Sequence, residues 1–406
     1  MSSWTITRRD ETQELDYGSM HLNETPSLYR LPSGTSSCSA QSIATRWLER
    51  SFELNNLSLI DYQRRVQELR RSVRQGIDSA ATCTDGIIHA LKQLIHSGWL
   101  NTRWNLISVD CDHFASEPWE KNFACCYRNA QCILSALFRI PEFRKRLFGS
   151  LSAMPSIWKL QALLESAWSL GFDPLGASQI SSTLNSNRIS SSSHPTDSEV
   201  GSISSDDRNL VGLVDSTACL GATDMVSLFG SIGVRSSIIE CRSSSGPGGT
   251  HPYLLTHIYS YVSSGNSRAI SNEPATLPML LQHEGHSRIV IGVEVDDNEK
   301  PLALIVLDPD VPPDAMRQII KAADYSVSSP NTDLSRLSFG PYHWMDVLGS
   351  MRVDITQLVQ PQYQLLQISG LIETESDLQE SSIQQSSFAV RWKIKNYQKY
   401  YRDLLS

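Results

Sequence analysis

Two runs of the chain, SRIVIGVEV at 287–295 and PLALIVLD at 301–308, are rich in β-branched residues and flank DDNEK, a turn signal. The pattern commits the chain to an antiparallel hairpin. With the turn centred near Asp297, facing residues have numbers adding to about 594 or 595. That register sets His286 beside Asp308 or its neighbour at the open end, and His283 opposite Val311, beyond the strand. Other strand-like runs are VGLV near 211, SIIEC near 237 and MLLQ near 279. Helical periodicity comes mainly earlier, at 57–75, 85–97, from Cys125 to Pro141, and at 157–170 with a stop at Gly171. Helices first and strands later predict an α+β fold rather than alternating α/β, and no internal repeat is present.

The 406 residues are 40% hydrophobic, below the ~45–50% usual for globular chains, so part of the chain is expected to stay out of the core. Residues 1–40 are polar and aperiodic, and 181–209 are dominated by serine; both are expected to be disordered. We therefore divide the chain into a tail at 1–40, a helical arm at 41–82, one folded domain at 83–378 interrupted by the Ser-rich insertion, and a tail at 379–406. The last tail ends in a basic-aromatic segment expected to form a loosely attached helix. A net charge of −8 argues against nucleic acid as a partner. Neither a long apolar run nor a signal-peptide core is present, so no membrane partner is expected. The eight cysteines show no disulfide framework and no zinc-ligand spacing. Reduced thiols in the cytoplasm or nucleus, with no metal and no cofactor, are the expectation.

In FACCYRNAQCILSALFRI, Cys126, Ala130, Ile133, Leu134, Leu137 and Phe138 share one helical face, which predicts a helix starting near Cys125 and buried along one side. A thiol at a helix N-terminus meets unpaired N–H groups and the positive end of the dipole, both of which favour thiolate. Cys126 falls on the apolar stripe, so Cys125 is the better nucleophile; the pair read alone could equally be structural. A cysteine nucleophile needs a base and an orienting group, and His286 with Asp308 offers both. Read alone, those two are also ordinary strand-end and turn residues. In the arm, Leu59, Tyr62, Val66, Leu69 and Val73 share a face, with Arg64, Arg65, Arg70, Arg71 and Arg74 mostly on the others and Gly76 as a stop.

The runs CCYRNAQ, AWSLGFDPLGASQI, LGATDMVSLFGSIGV, GTHP at 249–252, LLQHEGHSRIVIGVE, LIVLDP and QYQLLQISG follow one another between about Asp112 and Gly370. Together they resemble the papain-like family of ubiquitin-fold-modifier-specific proteases, and most closely its zinc-finger-containing, ubiquitin-directed branch, here without zinc-finger spacings. The resemblance implies a papain-like α+β fold and a cysteine isopeptidase acting on ubiquitin joined to lysine or to another ubiquitin. It maps the nucleophile onto Cys125, the base onto His286 and the orienting acid onto Asp308. The modifier-specific branch carries Asp-Pro-His where this chain has Asp308-Pro309-Asp310, so the base has to come from the preceding loop. Phe123 and Ala124 stand where the family has Trp and Gly, and Cys126 where it has Gly, which places a side chain next to the nucleophile. The Cys125 N–H is the expected first oxyanion donor. The second falls within CDHFASEPWEKN, with His113, Ser116 and Asn122 left open. Gly246, Gly248 and Gly249 either admit a narrow Gly-Gly tail or are plain loop glycines. By the same resemblance Tyr62, Val66 and Leu69 are either ubiquitin contacts or core residues. A protease for another modifier, or a silent ubiquitin-binding protein, remains the alternative.

Overall fold

The structure, a computed structural model, describes residues 39–100, 103–148, 153–189, 212–264, 275–329, 333–336, 338 and 340–373. The tail expected at 1–40 (except its last two residues), most of the Ser-rich run and the expected C-terminal helix lie outside the described residues. Helices α1 (Ala40–Glu53), α2 (Leu59–Gln75), α3 (Ile87–His96), α4 (Cys125–Arg139), α5 (Ile157–Ser169) and α6 (Pro174–Ile189) dominate the first half. A seven-stranded sheet draws on the second half except for its first strand: β1 (Arg103–Leu106), β2 (Val234–Cys241), β3 (Met279–His283), β4 (His286–Val295), β5 (Pro301–Leu307), β6 (Arg352–Asp354) and β7 (Tyr363–Leu371). Its order is β2-β7-β3-β4-β5-β6, with β1 also on β4, and every pairing is antiparallel. Helices α7 (Ala222–Ser231), α8 (Pro252–Ser264), α9 (Pro313–Ser328) and α10 (Trp344–Ser350) pack between and around the strands. The fold is α+β, a helical first half joined to a mostly antiparallel sheet.

The centre is α4 laid against β4. It is buried on nearly all sides from Cys126 to Leu137, not along one stripe as its apolar spacing predicts. The difference lies in the polar residues: Arg128, Asn129, Gln131 and Ser135 are all inside, and each finds partners there. Helix α2 starts at Ser58, whose hydroxyl accepts the Asp61 N–H, and stops at Gly76 with φ 67, the left-handed cap that glycine supplies without strain. Its Leu69, with Ala40, Ala44 and Leu48 of α1, joins the same hydrophobic cluster as the sheet. The i, i+4 spacing of Ala40, Ala44 and Leu48 was the available sign of α1.

Three expectations differ from the structure. The described part of VGLV, 212–214, is not a strand: Val214 and Asp215 give their N–H groups to the Glu165 and Gln161 side chains, and Asp215 turns the chain with φ 65. Helix α6 runs into the Ser-rich segment as far as Ile189, with Ala177 and Leu184 buried one below the other. The β4–β5 register is shifted. Asp296 and Lys300 close the turn and Asp296 Oδ1 accepts two further N–H groups, so its centre is Asn298. Ile289 then faces Leu307, which puts Arg288, not His286, opposite Asp308. His283 belongs to β3 and pairs with His286 across a tight turn at Gly285, φ 85.

Candidate active site

The segment entering α4 is held before the helix begins. Arg128 reaches back from the first turn with a bidentate grip on Glu120 (2.7 and 2.8 Å) and bonds both oxygens of Asp78 at 3.0 Å. All three side chains are buried, so the charges compensate one another where water cannot. Glu120 Oε2 also takes the Glu117 N–H, Glu117 pairs with Arg65 of α2 at 2.6 Å, and the Glu120 carbonyl receives the N–H groups of Phe123 and Ala124. Asn122, at φ 81, makes the bend that delivers Cys125 as the first residue of α4.

The two thiols separate as their helical positions require. Cys126 is fully buried, with Sγ 3.0 Å from the Leu220 carbonyl and 3.4 Å from Ser287 Oγ. Cys125 is half-buried. The Cys125 thiol is pulled down to about 4, first by a hydrogen bond from Cys126, then by His286 and Ser287 and by the His286 charge, against burial that pushes the other way. Cys126 rises in turn, because its hydrogen bond to Cys125, its own burial and its neighbour's charge all hold its proton. One thiolate and one thiol result.

His286, at the start of β4, turns Nε2 to Asp308 Oδ1 at 2.9 Å, which leaves Nδ1 for Cys125. Burial disfavours a charged ring, but the Asp308 bond, the Cys125 bond and the Asp308 charge outweigh it and raise His286 to about 10. Asp308 is desolvated too, yet its bond to and the charge of His286, followed by Arg288, hold it well below the carboxylate range. Arg288 Nε binds Asp308 Oδ2 at 2.5 Å, the Asp310 N–H binds Oδ1 at 3.0 Å, and His113 Nε2 donates to the Asp308 carbonyl at 2.8 Å. Arg288 lies in the same GHSR run as His286 and was not singled out in the sequence; its signal was register, two positions along the strand from the base. His286, Asp308 and Asp310 present possible metal-ligand atoms within 4.8 Å of one another. Two of these groups are already bonded to each other.

The structure brings Cys125, His286 and Asp308 together. Of the three residues left open as second oxyanion donor, His113 is fully buried and committed to Asp308, and burial depresses it to about 4. The Ser116 N–H goes to the Pro309 carbonyl, while Asn122 is exposed three residues before Cys125. Gly248 and Gly249 both have positive φ and form a turn whose second glycine faces the Val359 carbonyl. In the arm, Leu69 is buried and Tyr62 stacks on Phe52 at 4.9 Å; its most exposed apolar side chains are Leu59 and Ile60, 55% and 78% exposed. No helix among the described residues is long and apolar enough to cross a membrane.

A helical half, an antiparallel sheet, and a helix-terminal cysteine facing a His–Asp pair on that sheet make up a papain-like arrangement. The sequence model of Peptidase family C78 matches residues 101–339, more than half of the chain, and the chain belongs to that family of cysteine peptidases. Zinc finger-containing ubiquitin peptidase 1 of Homo sapiens is 31% identical over 321 residues, 78% of this chain and 46% of the relative. Its Mus musculus counterpart is 31% identical over 318 residues, with the same coverage. Ubiquitin carboxyl-terminal hydrolase mug105 of Schizosaccharomyces pombe is 26% identical over 224 residues, 55% of this chain and 74% of the relative. The chain thus spans about half the length of the zinc-finger-containing relatives it matches. The solved structure of UfSP from C. elegans covers 67% of this chain and 35% of its own, at TM-score 0.35 and 10% identity, a likeness that carries no argument.

Proposed function

We propose that this chain is a deubiquitinating cysteine isopeptidase, hydrolysing ubiquitin–lysine or ubiquitin–ubiquitin isopeptide bonds through Cys125, His286 and Asp308. One observation carries the reading: Asp308 fixes His286 through Nε2 at 2.9 Å, and that ring lowers the Cys125 thiol at the start of a buried helix. The Cys125 thiolate attacks the carbonyl after the ubiquitin Gly-Gly tail, and the His286 imidazolium protonates the departing lysine amine. The neutral ring then takes a proton from water, which hydrolyses the thioester. Asp308 keeps the ring's tautomer and orientation throughout. The Cys125 N–H, orphaned at the helix start, donates to the oxyanion, and Asn122 is the best placed of the three residues considered for the second bond. The choice of ubiquitin over another modifier draws on the relatives' names and on Asp310, which stands where the modifier-specific branch has its histidine. Such an enzyme works in the cytoplasm or nucleus, where its free thiols stay reduced.

An activity-based ubiquitin probe ending in an electrophile tests this. Labelling that disappears in Cys125→Ala and persists in Cys126→Ala is the expected result. Labelling by another modifier's probe and none by ubiquitin would overturn the substrate, and no labelling by any probe would leave a silent binding protein.

A further inference from the structure

Asp310 stands in the Asp308-Pro309-Asp310 turn that leaves β5, and main-chain groups pin that turn. The Ser116 N–H holds the Pro309 carbonyl at 2.7 Å and the Val311 N–H holds the Asp308 carbonyl at 3.1 Å. The Asp310 N–H binds Asp308 Oδ1 at 3.0 Å. Its side chain takes no part in this. It is exposed, and among the described residues its carboxylate makes no hydrogen bond or ion pair; the charged groups facing it are Asp308, His286, Lys121 and Cys125. Yet the turn sets a carboxylate oxygen of Asp310 no more than 4.8 Å from a ring nitrogen of His286 and from an oxygen of Asp308. Two carboxylates this close repel each other, so the placement does nothing for the turn itself.

We propose that the Asp310 carboxylate determines specificity on the leaving side, accepting an N–H of the lysine nitrogen as that nitrogen is expelled. This rests on the reading of Cys125 and His286 as nucleophile and acid. The His286 imidazolium protonates the nitrogen of the tetrahedral intermediate, which then carries two hydrogens and a positive charge. The C–N bond breaks, its electron pair stays on nitrogen, and the lysine leaves as a neutral amine while the oxyanion collapses to the thioester. One hydrogen lies toward His286; the other needs an acceptor. Two hydrogen bonds of about 2.9 Å diverging at a tetrahedral angle reach atoms about 4.7 Å apart, which matches the spacing of His286 and Asp310. Asp308 cannot serve, since Oδ1 is taken by His286 and the Asp310 N–H, and Oδ2 by Arg288. An arylamine is far less basic than lysine and leaves with little positive charge, so the carboxylate does less for it.

The test compares kcat/KM of the full chain on two substrates: ubiquitin joined to the side-chain amine of a lysine peptide, and ubiquitin joined to aminomethylcoumarin. Asp310→Asn keeps the size and the backbone N–H. Its ratio of lysine to coumarin kcat/KM should fall about tenfold, the weight of a hydrogen bond to a charged group. Asp310→Glu, which keeps the charge, should recover part of that ratio, and melting temperatures keep folding apart from function. An unchanged ratio would overturn the proposal and leave the isopeptidase reading standing, whether both rates fall together or neither falls. A native chain that cleaves neither substrate overturns the ubiquitin reading alone; the same pair built on the modifier whose probe labels the chain then decides Asp310. A chain that no modifier's probe labels overturns both.

Discussion

His286 and Asp308 meet Nε2 to Oδ1 at 2.9 Å although they do not face each other in the strand register; Arg288 takes the facing position and holds the other carboxylate oxygen. The carboxylate is thus shared by a ring and a guanidinium on one strand, with the Asp310 N–H as a third donor. Asp308→Asn keeps the size but cannot accept through both oxygens or fix the charged ring. Steady-state hydrolysis of a ubiquitin substrate should show kcat lower by about 10²–10⁴-fold, with KM nearly unchanged. Arg288→Ala removes one charge-assisted bond and leaves the ring's partner in place, so the expected loss is smaller, about tenfold. An Arg288→Ala loss equal to that of Asp308→Asn would show that Arg288 does more than hold the carboxylate.

The pH behaviour follows from a depressed thiol and a raised imidazole. Cys125 ionises near 4 rather than 9.0, and His286 stays charged to about 10 rather than 6.5, so thiolate and imidazolium coexist across that whole interval. In stability, the thiolate contributes increasingly as pH climbs from about 4 toward 9.0. The imidazolium contribution, complete below 6.5, is lost as pH climbs toward about 10. The two slopes cancel between 6.5 and 9.0, so the pair should give a plateau there, with loss on both sides. Alkylation of Cys125 should accordingly be as fast at pH 6 as at pH 8, where a plain thiol would lose about 100-fold. His286→Ala should raise the Cys125 half-rate pH and slow alkylation at acid pH, short of the full plain-thiol slope while Cys126 still donates.

The main elements, and the places of Cys125, His286 and Asp308 on them, were within reach of sequence reasoning because short-range physics sets them. Cys125 at a helix start, the β-branched hairpin and the Gly76 stop are each decided within a few residues. What escaped depends on contacts distant in sequence. The hairpin register turned on one side chain, Asp296, capping its own loop and moving the centre by one residue. VGLV has strand composition, but at its end the N–H groups of Val214 and Asp215 are taken by Glu165 and Gln161 of α5, some fifty residues earlier. Leu69 and Tyr62 look like a free amphipathic face in the sequence, and only the packed arm turns that face inward.

Cys126 is where this chain departs most plainly from the pattern it resembles. Its buried S–H is the first cause of the low Cys125 value, so Cys126→Ala or Cys126→Gly should raise the Cys125 half-rate pH while probe labelling at pH 7.5 remains. Ala also leaves Ser287 Oγ and the Leu220 carbonyl without their sulfur contact, and a modest fall in melting temperature is expected. Complete loss of labelling in Cys126→Ala would mean that the two thiols had been assigned in the wrong order.

Arg128 carries a stability prediction. Removing it leaves Glu120 and Asp78 buried without their counter-charge, the costly way to break a buried pair, at about 3–5 kcal/mol. Arg128→Lys should recover little, since one ammonium cannot reproduce the fork onto Glu120 together with the bonds to Asp78. Urea unfolding of both variants measures this. The bend at Asn122 hangs from the same network, so kcat should fall even where the variants remain folded.

The arm offers the last contrast. Leu69 is 9% exposed and part of the core, so Leu69→Glu should destabilise the whole chain and says nothing about a partner. Ile60 is 78% exposed beside Leu59, at the start of α2, where a charged replacement costs the fold little. If this tip touches ubiquitin, Ile60→Glu should raise KM for a ubiquitin substrate several-fold, leaving kcat and the urea midpoint unchanged. An unchanged KM in that variant, read beside an unfolded Leu69→Glu, would make the arm a structural support for Glu117 through Arg65 and nothing more.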